Sequence, residues 1–232
     1  MGEWSKIAFD IATWIIPLTT AIVFHEVAHG LTARHFGDMT AARAGRLSLN
    51  PLRHVDPFGT VILPLMLAIS GAPVFGWAKG VPVVARRLRN LRWHMVLVAL
   101  AGPASNILLA LIGAVLAGLL LLLRPVEGGL VWALMVANLQ NFVLINLFLA
   151  VFNILPLPPF DGSKVLGGFL PPALAKPYQR LDRYGLFIML GVLVVLPSLS
   201  PSLDIVGLLV EPPVRALLEL TAHIATAIGG VR

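Results

Sequence analysis

Phe24-His25-Glu26-Val27-Ala28-His29-Gly30 sets two histidines four residues apart around a glutamate, near the end of the apolar run Ile7 to Leu31. On a helix, positions i and i+4 share a face about 5–6 Å apart, close enough to hold one metal ion. Imidazole suits zinc, and a glutamate beside the first histidine can take a proton from a zinc-bound water. Ionisable groups are costly inside a bilayer, so three within five residues require a reason. The stretch points to zinc-dependent hydrolysis at a site below a membrane surface. The competing reading, two histidines hydrogen-bonding between helices, leaves Glu26 without a purpose.

Composition supports the membrane setting. Of 232 residues, 58% are hydrophobic and 12% charged, and the mean hydropathy is +0.89. Ordinary soluble domains do not look like this. The expected fold is an all-α polytopic membrane protein, a bundle of about four to six transmembrane helices crossed at about 20 residues each. Short membrane-associated β-strands and one re-entrant segment complete it. Residues 1–232 read as a single membrane-embedded domain, with a core over 7–165 and C-terminal helices over 184–229. The chain has no cysteine, so a zinc ion must take histidine and carboxylate ligands. The net charge of +6 is read as loop charge that orients the chain in the bilayer, not as a nucleic-acid surface. The first apolar run is too long for a cleavable signal peptide and lacks its cleavage site.

Outward from the motif, residues 7–35 form the first span, with Trp14 near an interface and Pro17 bending the helix. Residues 37–56 are punctuated by Gly37, Gly45 and Asn50-Pro51, with short strands expected between the turns. Residues 57–72 are apolar, but short and interrupted by Pro64, and fall short of a core of about 30 Å. A basic loop over 73–92 follows, then a span over 93–123. A third span, 130–155, is rich in amides (Asn138, Gln140, Asn141, Asn146 and Asn153), which must face the bundle interior. It ends in Asn153-Ile154-Leu155-Pro156-Leu157-Pro158-Pro159-Phe160-Asp161-Gly162, where three prolines stop the helix and a turn presents Asp161. Residues 163–183 read as a polar connection and 184–200 as a fourth span. The tail, 203–229, reads as an interfacial helix, with a fifth span as the alternative. Asn106 and Gly102 read as helix-packing groups, and His35, His54 and His94 as structural, with His54 also a candidate outer support of the metal through Asp56.

The third metal ligand is Asp161 or Asp56. For Asp161 to meet the histidines, the ends of 7–35 and 130–155 must share a side, so 57–72 must dip in and return. Loop charge tests this. A re-entrant 57–72 places Arg43, Arg46, Arg53, Lys79, Arg86, Arg87, Arg89, Arg92, Lys164, Lys176, Arg180 and Arg183 on one side, against Lys6 and Arg124. That is twelve against two; full spanning gives ten against four. The positive-inside rule prefers the first. The N-terminus is then outside and the site faces the cytoplasm.

Three blocks resemble the site-2 protease family of intramembrane zinc metalloproteases: His25 to Gly30, Ala101-Gly102-Pro103-Ala104-Ser105-Asn106, and Asn153 to Gly162. Their order and spacing cover most of residues 20–165. Gly45 to Pro51 and Gly76-Trp77-Ala78-Lys79 are similar to short bacterial and archaeal members. Gly80 departs from the pattern, where proline is expected, which bears on loop rigidity and not on chemistry. The resemblance implies one zinc ion held by His25, His29 and Asp161, Glu26 as catalytic base, and Asn153 at the active site near the substrate carbonyl. It implies a multi-pass protein of the cell membrane that cleaves transmembrane segments of other proteins, such as anti-sigma factors or signal-peptide remnants. PDZ and CBS domains are not expected. A hidden helical peptide bond must be unwound, and β-addition to an edge in 40–50 or 76–85 is the expected device. The rival classes are a membrane transporter and a non-proteolytic membrane adaptor; an internal repeat, which would favour the transporter, is not evident.

Overall fold

The computed structural model describes residues 2–70, 76–123 and 128–230. In chain order its main helices are α1 (Glu3–His35), α2 (Leu63–Ser70), α3 (Leu91–Leu122), α4 (Leu130–Asn153), α5 (Asp161–Phe169), α6 (Pro172–Leu199) and α7 (Glu211–Gly229). Of these, α1, α3, α4 and α6 are long and apolar enough to cross a membrane. Polarity is arranged as lipid requires. Leu108 is 59% exposed and Leu123 76% exposed, while Asn106 and Asn146 are fully buried. Asn106 and Asn146 thus keep protein partners where no water is present, whereas Gln140, expected to face the interior, is exposed.

The central helix is α3, which packs against α1, α4 and α7. Its start is set by Asn90, whose side chain accepts the Trp93 N–H at 3.1 Å. A buried run of small residues, Ala99, Gly102, Ala110, Gly113, Ala114 and Gly118, lets neighbouring backbones come close, which is how helices associate in lipid. Pro17 is buried within α1 and does not end it.

Two contacts define how the chain travels between α1 and α3. The Arg89 N–H donates to Phe36 O at 3.1 Å, and Phe36 stacks on His94 at 4.0 Å. The end of α1 and the start of α3 therefore lie together. Between them, the Trp77 N–H donates to Gly59 O at 3.1 Å and Thr60 Oγ1 donates to Trp77 O at 2.9 Å. The apolar excursion, a π-turn over Pro57–Ile62 followed by α2, thus leaves and returns at one place. Of the expected re-entrant stretch 57–72, residues 71 and 72 lie outside the described residues, as does the link over 124–127.

The expected short strands are corrected: among the described residues no β-strand forms. Thr40–Arg43 is a helical turn, and 76–84 is irregular. The reason lies in what the backbone groups already bond. Arg46 Nη2 donates to the carbonyls of Lys79 and Gly80, and the Lys79 N–H donates to His54 O at 2.8 Å. Groups that a ladder would use are already taken. At the far end of this segment, Asp38 accepts the Thr40 N–H at 3.0 Å, the Thr40 hydroxyl, and the Val84 N–H at 2.6 Å. Burial pushes the Asp38 carboxyl up, but these bonds and the nearby Arg87 charge outweigh it and hold it below the usual carboxylate range.

Two boundaries also move. The polar connection expected over 163–183 is helical, as α5 and the first part of α6, because Pro172 occupies the first helical position, where its missing N–H costs nothing. The tail breaks at Val210, between a short helix over Ile205–Leu209 and α7, just before Pro212-Pro213. Those prolines sit in the first turn of α7, which buries Val214, Thr221 and Ala225 against the bundle.

Candidate metal centre

Two elements converge on one point. From α1 come His25 and His29, one turn apart; from α5 comes Asp161, its first residue. One ligand atom from each of the three lies within 4.8 Å of the others, and all three residues are buried. His25 Nε2 is 3.2 Å from Asp161 Oδ2, His29 Nε2 is 3.1 Å from it, and the two Nε2 atoms are 3.0 Å apart.

Hydrogen bonding fixes which atoms face inward. His29 Nδ1 lies 2.7 Å from Val98 O, which can only accept, so Nδ1 carries the proton. Asn106 donates through Nδ2 to Ala21 O at 3.1 Å and to Asn146 Oδ1 at 2.8 Å, which turns its Oδ1 toward His25 Nδ1 at 2.6 Å. That nitrogen is therefore also a donor. Both Nε2 atoms present lone pairs to each other and to a carboxylate oxygen. Three acceptors with no proton between them repel, and a cation relieves the repulsion. Ligands bound tetrahedrally at about 2.0–2.1 Å stand roughly 3.3 Å apart, close to the spacings found. Two imidazoles, one carboxylate and no thiolate match zinc.

Two glycines permit this geometry. A Cβ on Gly102 would fall 2.5 Å from His29 Nε2 and 2.6 Å from His25 Nε2, inside the space where the ligand atoms meet. A Cβ on Gly162 would strike the carbonyls of Ile154 and Leu155, so glycine lets the chain fold back under the end of α4 and deliver Asp161. The Asp161 carboxyl sits outside the four long helices. The Lys164 ammonium lies 3.4 Å from its Oδ1.

A cavity of about 720 Å³ opens beside these residues and is lined by Glu26, Trp77, Gly80, Val81, Asn153 and Lys164, among others. Glu26 Oε2 accepts the Val81 N–H at 2.7 Å. Asn153 faces the cavity, with Nδ2 donating to Leu149 O at 3.0 Å in its own helix. Asp56 is not in the cluster. Its carboxylate caps the turn after it, accepting the N–H groups of Phe58 and Gly59 at 3.1 and 2.7 Å. His54 Nε2 meets Ser48 O at 2.8 Å, and His35 and His94 pack around Phe36. Asn106 and Gly102, packing groups on the sequence reading, instead orient and admit the ligands. A single asparagine deep in an apolar span is expensive without a polar partner, and that cost is the signal that marks Asn106.

The model for peptidase family M50 matches residues 116–196, the stretch from α3 through α6 that carries Asn153 to Gly162. The protein named "Putative zinc metalloprotease YwhC" of Bacillus subtilis is 40% identical over 187 residues, covering 79% of this chain and 80% of its own length. "Putative zinc metalloprotease Rip2" of Mycolicibacterium smegmatis is 28% identical over 82% of this chain and 68% of its own. "Putative zinc metalloprotease MJ0611" of Methanocaldococcus jannaschii is 32% identical over 68% of this chain and 72% of its own. No solved structure matches. Extent and identity of the match to these relatives, together with the family model, show that this chain belongs to peptidase family M50, the site-2 protease family of zinc metalloproteases.

Proposed function

We propose that this metalloendopeptidase cleaves transmembrane segments of other membrane proteins, with zinc held by His25, His29 and Asp161 and with Glu26 as general base. One observation carries the reading: three inward-facing acceptors converge beside a glutamate within a bundle of apolar helices. Gly102, against which the histidines sit, is 11 residues past Leu91, roughly 16 Å along α3 at 1.5 Å per residue. The substrates are helices unwound in the cavity, whose wall at Trp77, Ala78, Gly80 and Val81 suits an apolar chain.

Zinc held by His25, His29 and Asp161 would supply Lewis acidity and would lower the pKa of a water bound to it toward neutrality. The histidine rings are held in the ligating tautomer by Asn106 and Val98. Val81 fixes one carboxylate oxygen of Glu26, leaving the other to accept the proton of the attacking water. The water oxygen bonds to the peptide carbon, the C–N bond breaks, and Glu26 returns the proton to the leaving nitrogen. Asn153 keeps one amide hydrogen and its Oδ1 free of Leu149, and these contact the substrate backbone.

The loop charges counted above support a site on the cytoplasmic side of the cell membrane. The hydrogen-bonded return at Gly59 and Trp77 supports re-entry of 57–72. Glu26→Gln tests the chemistry. Wild type and variant are each reconstituted with a model transmembrane substrate, and bound zinc is measured in both. One zinc per chain in both, with cleavage only by the wild type, is expected. Equal cleavage would remove Glu26 from the mechanism.

A further inference from the structure

Hydrolysis leaves a new carboxylate beside the metal, and the products must separate in a low-dielectric site. Lys164 is the one lysine or arginine lining the 720 Å³ cavity among the described residues. It lies one turn after Asp161 on α5, on the same face. Among the described residues its ammonium has a single partner, Asp161 Oδ1 at 3.4 Å, and its side chain is 43% exposed. Two of its three N–H donors are uncommitted. Lys164 also lines a second cavity, of about 410 Å³, and Met95 is common to both. The two cavities therefore meet at this wall. The second is cationic, with Arg92, Lys164 and Lys176 against Asp182, and Tyr178 and Ser163 add hydroxyls. Arg92 is engaged by Gly168 O at 2.5 Å and Leu170 O at 3.0 Å, which leaves Lys164 as the cation that faces the active-site cavity.

We propose that Lys164 receives the newly formed C-terminal carboxylate of the product and that the second cavity is where this product end departs. This rests on the endopeptidase reading. An ammonium suits the role because it is a compact charge on a flexible stem that can follow the departing group. A role confined to orienting Asp161 would give no discrimination between an acid and an amide.

The test is calorimetric binding of one short apolar peptide, as C-terminal acid and as C-terminal amide, to detergent-solubilised metal-free protein and to zinc-loaded protein. Wild type, Lys164→Met and Lys164→Arg are compared. In metal-free wild type the acid is expected to bind about tenfold more tightly, as one charge-assisted contact implies. Lys164→Met loses that preference while binding the amide as wild type does, which a misfolded protein would not, and Lys164→Arg keeps it. Equal binding of acid and amide to metal-free wild type, or an unchanged preference in Lys164→Met, would overturn the proposal. Binding here needs no turnover. Cleavage without acid preference defeats this proposal alone, and acid preference without cleavage defeats the endopeptidase reading alone.

Discussion

Gly102→Ala adds one methyl group at the point where the two histidine Nε2 atoms converge. The new Cβ would lie 2.5 Å from His29 Nε2 and 2.6 Å from His25 Nε2. Non-bonded heavy atoms prefer about 3.5–4.0 Å, so the rings or α3 must shift by roughly 1 Å. The rings cannot shift freely, because their Nδ1 atoms are held at 2.6 Å by Asn106 and 2.7 Å by Val98. Overpacking of this kind costs about 1–3 kcal/mol. Alanine in a helix interior regains about 1 kcal/mol over glycine. The metal-free fold should therefore lose at most about 2 kcal/mol, while displaced ligands lower zinc affinity by about 5- to 150-fold. The assay is zinc competition against a chromophoric chelator, alongside thermal unfolding of the metal-free protein in detergent. A folded Gly102→Ala protein with wild-type zinc affinity would refute the placement of the ligand atoms around this glycine.

Other expectations concern the supports of the site. Asn106→Ala should weaken zinc binding by about 10–100-fold, whereas Asn106→Asp, which still accepts the His25 Nδ1–H, should retain most of it; chelator competition reads both. Asp38 is held below the usual carboxylate range, so its contribution is complete above that range and is lost as pH falls through and below about 4. Hydrogen exchange at the Val84 amide, compared between wild type and Asp38→Asn, should show that acid-side loss of protection in the wild type alone. A cysteine introduced at Gly128 should react with a membrane-impermeant reagent from outside the cell; labelling from the cytoplasm alone would invert the proposed orientation.

Much of the site was legible in the sequence, because His25, Glu26 and His29 lie within one and a half turns of a single helix and helical geometry is local. The membrane class was equally legible, since hydropathy is a sum over residues. The strands expected in 40–50 and 76–85 were not, because the competitor for their backbone groups is Arg46, a side chain distant in sequence from Lys79 and Gly80. The helical character of 163–183 was hidden by its polarity, which reflects exposure and not a lack of helix.

Composition and local spacing alone determined that the chain is a membrane-embedded helix bundle bearing a histidine pair and a glutamate on one helix face. Beyond the family resemblance, only tertiary structure brings Asp161, and not Asp56, to the histidines. The two carboxylates have similar local surroundings, each at a turn beside proline or glycine, but only the fold of Asn153 to Gly162 under α4 brings one of them to the histidines. Tertiary structure also turned Asn106 from a packing residue into the anchor of His25, since its partners Ala21 and Asn146 lie on two other helices. Local periodicity reports which face a residue shares, and only packing reports what that face meets.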